Sequence, residues 1–289
     1  MFDLVIRGGK VFIDGGFKDL EVGVLNGKIE EIGSELGEAK EVMQLKGEAL
    51  YPGFIDSQVH FREPGLTQKE DLESGSKAAA LGGVTTFFEM PNTNPSTTTK
   101  ESIDLKVSIA KEKSYVNFAF FMGATGDNIE ELKKVSGLKG CCGIKIFLGS
   151  STGSLLLYEK EALLEVFRET KGMISCHSEN EEMLKERKPM LANSTTAHDH
   201  AKWRNVETAL SSTVRLVGLA REAGRKVHVL HISSKDEMEF LAKNKDACTV
   251  EALPQHLTLY APDCYDRLGT YAQMNPPIRS SEHRDGIWE

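Results

Sequence analysis

Three histidines occupy corresponding places in a repeating pattern of this sequence. His60 ends the apolar run Phe54 to Phe61, His177 ends Met173 to His177, and His231 ends Val227 to Ile232. Any one of them alone reads most simply as a structural histidine. Neutral imidazole is also the commonest protein metal ligand, and three of them brought to one place would form a metal centre. Lys145 interrupts a fourth apolar run, Gly143 to Leu148, between Ile144 and Ile146. An ammonium buried there is costly. Either its amine reaches solvent along its aliphatic stem, or burial lowers its pKa and leaves a neutral amine able to take up carbon dioxide as a carbamate. The residues themselves leave both readings open. Arg62, two positions past His60, and Asn92, after the run Val84 to Met90, offer a guanidinium fork and a side-chain amide. Such a pair suits bidentate recognition of a small carboxylate.

The elements that must position these groups follow two patterns. Residues 1–50 carry short β-like segments, Leu4 to Arg7, Lys10 to Ile13 and Lys28 to Ile32, separated by Gly-Gly, Asp-Gly and Asn-Gly turn signals. They read as a small β module, an incomplete β-sandwich. From Tyr51 to Glu289, seven apolar runs alternate with helical stretches: Phe54 to Phe61, Val84 to Met90, Val116 to Met122, Gly143 to Leu148, Met173 to His177, Val227 to Ile232 and Thr249 to Leu253. Helical spacing is expected over Asp71 to Ala80, Ile103 to Lys113, Lys160 to Thr170, Val206 to Ala223 and Asp236 to Asn244. No G-x-G-x-x-G turn follows the first run, so the alternation predicts a (β/α)8 TIM-type barrel rather than a doubly wound sheet. Barrel enzymes gather their chemistry at the C-terminal ends of the strands, where His60, His177 and His231 all fall. The eighth strand is expected to be missing or to lie outside this sequence.

Composition narrows the partners. A net charge of -8 lacks the positive field that nucleic acids and anionic membranes require, so neither is expected. The start, Met1 to Arg7, shows no signal peptide or membrane span, and a cytoplasmic location is expected. Cys141, Cys142, Cys176, Cys248 and Cys264 show no C-x-x-C spacing and read as reduced core thiols. Cys176, next to His177 on a strand, should face away from it.

Asp56-Ser57-Gln58-Val59-His60-Phe61-Arg62-Glu63-Pro64-Gly65 resembles the dihydroorotase signature, in which Asp-x-His-x-His-x-Arg follows the first barrel strand. Met90 to Pro95 resembles the second signature of that family, and Gly143 to Leu148 the strand that carries its carboxylated lysine. Cys176-His177-Ser178-Glu179 and Leu230-His231-Ile232-Ser233 match its later metal histidines. The likeness runs from residue 3 to about 279. It implies one or two zinc ions held by His60, Lys145 as a bridging carbamate, His177 and His231. It also implies substrate contacts from Arg62, Asn92 and Asn275, although Asn275 before Pro276 is equally a turn former. The implied reaction is the reversible hydrolysis of dihydroorotate to N-carbamoyl-L-aspartate in pyrimidine biosynthesis. The metal would acidify water and polarise the ring carbonyl, and a carboxylate would shuttle the proton.

Two departures from that scheme fall on catalytic positions. Gln58 replaces the first histidine of the pair and, as a neutral amide, is a poorer zinc ligand. The family's shuttle aspartate, at the end of strand eight, has no counterpart here, so no catalytic residue is assigned and the chain reads as a fragment of a longer enzyme. The alternatives are a hydantoinase or allantoinase, or a non-catalytic dihydroorotase-like partner of a transcarbamoylase. The expected partners are the small-molecule substrate, a second copy in a homodimer, and a transcarbamoylase.

Overall fold

From Phe54 onward the alternation of apolar runs and helices is realised as a curled parallel sheet in the computed structural model, which describes residues 1–149 and 155–289. Its strands are β8 (Phe54–Val59), β9 (Val84–Glu89), β10 (Asn117–Gly123), β11 (Cys141–Phe147), β12 (Ile174–His177), β13 (Val227–Val229) and β14 (Cys248–Val250). They lie in the order β14-β13-β12-β11-β10-β9-β8, so each crossover moves the chain one place along the sheet. That progression is the one a closing barrel requires. All seven expected runs are strands. The chain therefore has a TIM-type barrel architecture, with seven strands among the described residues.

The crossover helices are α1 (Leu72–Leu81), α2 (Lys100–Lys113), α3 (Ile129–Leu132), α4 (Lys160–Glu169), α5 (Glu181–Arg187), α6 (His198–Trp203), α7 (Val206–Glu222), α8 (Lys235–Ala242), α9 (Pro254–Thr258), α10 (Asp263–Leu268) and α11 (Ser281–Trp288). The five expected from spacing are α1, α2, α4, α7 and α8. The others escaped the spacing rule because they are short and mostly polar, at four to eight residues each.

Strand alternation divides the interior. Phe120 and Met122 of β10, Ile144 and Ile146 of β11, Ile174 and Cys176 of β12, and Val227 and Val229 of β13 share one buried cluster with Leu163, Phe167, Leu216, Val217 and Leu241 from the helices. Phe121, Cys142 and Leu230 belong to a separate inner cluster with Met90. Between β10 and β11 the register jumps from Phe120↔Cys141 to Phe121↔Gly143, leaving Cys142 as an extra residue. This β-bulge resets the alternation of β11. Without it Lys145 would share the helix-facing side; with it, Ile144 and Ile146 face the helices and Lys145 faces inward.

The N-terminal segment forms β1 (Phe2–Arg7), β2 (Lys10–Ile13), β3 (Gly16–Lys18), β4 (Glu21–Leu25), β5 (Lys28–Gly33), β6 (Ala39–Gln44) and β7 (Ala49–Leu50). One sheet runs β5-β4-β1-β6 and another β3-β2-β7. Only β1, β2 and β5 were foreseen, because strands such as Ala39–Gln44 are mostly exposed and carry charges in place of an apolar run. Residues 1–56 with 79–86 form one compact unit, and residues 57–78 with 87–289 another. Among the described residues no helix is long and apolar enough to cross a membrane.

Candidate metal centre

The site grows from strand ends whose onward paths are fixed at once by helix caps. His177 is the last residue of β12, and Asn180 caps α5 three residues later by accepting from the Met183 N–H. His231 lies two residues past β13, and Ser234 caps α8 by accepting from Glu237 N–H. His60 directly follows β8, one residue beyond the strand's end. Each cap satisfies an otherwise orphaned helix donor and keeps its loop short.

The structure brings His177 and His231 together. His177 Nδ1 lies 3.1 Å from His231 Nε2, with the ring centroids 4.8 Å apart and the planes at 74°. On the far side, His177 Nε2 meets Glu179 Oε2 at 2.7 Å, and the Arg204 guanidinium bonds to the same oxygen. All four side chains are buried. Burial alone would raise the Glu179 carboxyl, but its bond to His177 and the Arg204 charge outweigh that and hold it at about 2. An ionised Glu179 accepts the proton on His177 Nε2, so Nδ1 is left with a lone pair directed at His231. This is the carboxylate–imidazole pairing that orients metal-binding histidines.

Lys145 is buried and its Nζ has no hydrogen-bond partner; it lies 4.4 Å from the centroid of the Phe147 ring. Desolvation pushes its pKa down to about 7. Half-buried His60 is held well below the usual imidazole range by burial, then by the charges of Arg62 and Lys145. Burial, then His177 and Lys145, lowers His231 in the same way. Both imidazoles are thus neutral at pH 7, the form that binds metals.

Whether these residues fit a metal can be judged from their atoms. Two nitrogens each bonded to a tetrahedral zinc lie about 3.3 Å apart, close to the spacing of His177 Nδ1 and His231 Nε2. His60 Nδ1, Lys145 Nζ and His231 Nδ1 are buried without hydrogen-bond partners, a cost that ligation at a centre would relieve for the first two. Among the described residues no group of three His, Cys, Asp or Glu side chains is arranged to hold a metal ion. The donor set fits a metal as a histidine pair whose third donor would come from Lys145; a carbamate there would supply oxygen ligands that the free amine lacks.

Arg62 adopts a left-handed backbone, φ +66°, and its Nη1 donates to Asn92 O at 3.5 Å. The Asn92 side chain in turn reaches the His60 ring. The loops bearing these residues meet closely, since Asn94 N donates to Pro64 O at 3.0 Å. Gly65 makes that approach feasible: at φ +86°, a Cβ there would stand 1.9 Å from Asn94 O. Gln58 lies two residues before His60 on β8. Asn275 is exposed, and its Oδ1 pairs with His200 Nε2 at 3.0 Å, not with any of the clustered imidazoles.

Against known proteins, the family described as Dihydro-orotase-like matches residues 47–153. The allantoinases of Salmonella paratyphi B and Salmonella newport are 33% identical over 310 residues, covering 100% of this chain and 66% of each relative. The solved L-hydantoinase (dihydropyrimidinase) from Arthrobacter aurescens matches with a TM-score of 0.94 at 28% identity, over 100% of this chain and 66% of that one. The fold of the chain is the amidohydrolase barrel of these proteins. A dihydropyrimidinase from Brevibacillus agri matches with a TM-score of 0.86 at 26% identity, over 98% of this chain and 65% of that one. The chain spans 66% of the length of the curated relatives it matches. The resemblance to dihydroorotase alone is thereby widened, because the named relatives are allantoinases and hydantoinases.

Several residues of this site carry no evident mark in the sequence. Glu179 stands two positions after His177, a spacing that could have signalled an orienting carboxylate. Arg204, between α6 and α7, gave no signal, since its partner lies 25 residues away. Glu89 and Lys106, 2.6 Å apart and buried, form an ion pair beneath the Asn92 loop, where Lys106 Nζ also donates to Met90 O at 3.2 Å. Glu251, after β14, accepts from His231 N at 3.3 Å and from Ser57 Oγ at 2.9 Å.

Proposed function

We propose that this chain carries the metal centre of a cyclic amidohydrolase whose substrate is a small ring amide bearing a carboxylate, dihydroorotate foremost. The observation that carries the reading is the meeting of His177 Nδ1 and His231 Nε2, backed by Glu179 and Arg204, near the desolvated Lys145 amine. In this reading His177, His231 and Lys145, the last as a carbamate, hold a zinc ion, and His60 belongs to a second position weakened by Gln58. A cation bound there acidifies water and polarises an amide carbonyl. A pKa of about 7 leaves much of the Lys145 amine neutral at physiological pH, the form that adds carbon dioxide.

The remaining work falls to the polar rim. Arg62, supported by Asn92 O, offers its guanidinium to the substrate carboxylate and so fixes the ring over the imidazoles. Hydrolysis then breaks the ring C–N bond, adds water's oxygen to the carbonyl carbon and delivers a proton to the nitrogen. Asn275 would take part only through a rearrangement of its bond to His200.

A second reading, with hydantoin or allantoin as substrate, is favoured by the 33% identity to allantoinases and the likeness to the L-hydantoinase. Assay of the purified full-length protein with dihydroorotate, hydantoin and allantoin decides between them. Turnover of dihydroorotate, lost in Arg62→Met, is expected. Turnover of hydantoin or allantoin without dihydroorotate would overturn the preference, and no turnover of any would overturn the enzyme reading.

A further inference from the structure

His231 stands on the wrong side of its strand by simple alternation. Val227 and Val229 of β13 face the helices, so residue 231 on an extended strand would do the same, with His228 and Leu230 pointing inward. Instead His231 turns inward to meet His177, and Ile232 rejoins the helix-facing cluster. The reversal is made at His231 itself, whose φ is +39°. A left-handed backbone costs a residue with a Cβ conformational energy, so neighbouring groups must hold it.

Those groups are on the segment after β14. Ile232 N donates to Glu251 O at 2.9 Å and Glu251 N donates to Val229 O at 3.1 Å, which pins the chain on both sides of the turn. At the turn, His231 N donates to Glu251 Oε1 at 3.3 Å. The other carboxylate oxygen is itself fixed: Ser57 Oγ of β8 donates to Oε2 at 2.9 Å, and His228 Nε2 lies 3.3 Å from it. His228 is anchored in turn through Nδ1, 2.8 Å from Thr249 Oγ1. With one oxygen held by two side chains, the other is left pointing at a single backbone N–H.

We propose that Glu251 is a positioning residue for His231: by accepting the His231 backbone N–H, it holds the left-handed turn that places the imidazole against His177. The proposal rests on the reading that these two imidazoles act together. It makes Glu251 a determinant of the site without direct contact to substrate.

Two measurements test it. The first is a urea-unfolding cycle that needs no metal. Glycine keeps a left-handed backbone without a Cβ clash, whereas an alanine released from the clamp relaxes and recovers its strain, which offsets part of the lost clamp. Glu251→Ala should therefore raise the unfolding equilibrium constant about tenfold less in a His231→Ala background than in His231→Gly. Equal losses in the two backgrounds would overturn the proposal. The second is zinc competition titration, in which Glu251→Ala should weaken binding about tenfold, while Glu251→Gln, which keeps an acceptor oxygen, stays within about threefold of the unaltered chain. Glu251→Ala binding as tightly as the unaltered chain, or Glu251→Gln binding as weakly as Glu251→Ala, would also overturn it. Absence of zinc binding by the unaltered chain would instead count against the metal centre, and the unfolding cycle would still decide the role of Glu251.

Discussion

Lys145 shows how far one residue's chemistry depends on where its strand turns it. In solution its amine would hold a proton up to the ordinary lysine pKa of 10.5; in the folded chain burial pushes that to about 7. Between those values the unfolded chain binds a proton at this position that the folded chain does not, so stability rises with pH through the window and the full penalty is felt below about 7. The slope approaches about 1.4 kcal/mol per pH unit for one proton. Buried thiols act in the opposite direction at higher pH, with Cys176 pushed up to about 12, so pH 7 to 8.5 is the informative range. With carbon dioxide and metal excluded, urea denaturation should show stability rising more steeply with pH for the unaltered chain than for Lys145→Met. Parallel slopes would show that the amine is not desolvated as described. Glu179 illustrates the converse, since there a hydrogen bond and an adjacent guanidinium overcome burial.

Strands and loops, the next scale up, decide which of these residues meet. The apolar runs gave seven strands, and alternation set Cys176 facing away from His177, because β12 is regular. It could not give the inward turn of Lys145 or His231. One depends on a bulge at Cys142, set by register against Phe120 and Phe121, and the other on a positive φ held by Glu251. Both are consequences of a neighbouring strand and leave no mark in the local residue pattern. The motif Arg62 to Gly65 was legible as a signature, but the reason for its glycine lies across space in the Asn94 carbonyl. Gly65→Ala should destabilise the chain by about 2–4 kcal/mol, from a left-handed Cβ and an overpacked contact, as measured by chemical denaturation. Because the two loops also carry Arg62 and Asn92, the same variant should raise KM for a carboxylate substrate. A loss below about 0.5 kcal/mol would show that the loops separate readily.

For the molecule as a whole, the place of His177 and His231 at the ends of apolar runs set both on one rim, whereas the supporting ions beneath that rim are hidden from the sequence. Arg204 reaches Glu179 from a loop 25 residues downstream, and Arg279 Nη1 donates to Arg204 O at 2.7 Å from 75 residues away. Separations of that length are set by packing and carry no periodic signal. The N-terminal module was likewise underread, since its exposed, charged strands lack the apolar runs by which strands are recognised. The proposed chemistry requires His177 and His231 to act as a metal-binding pair. Zinc titration of the purified full-length protein in bicarbonate buffer, with and without His177→Ala, tests this most directly. Saturable binding that is lost in His177→Ala is the predicted result, and either no saturable binding or binding indifferent to His177→Ala would contradict it.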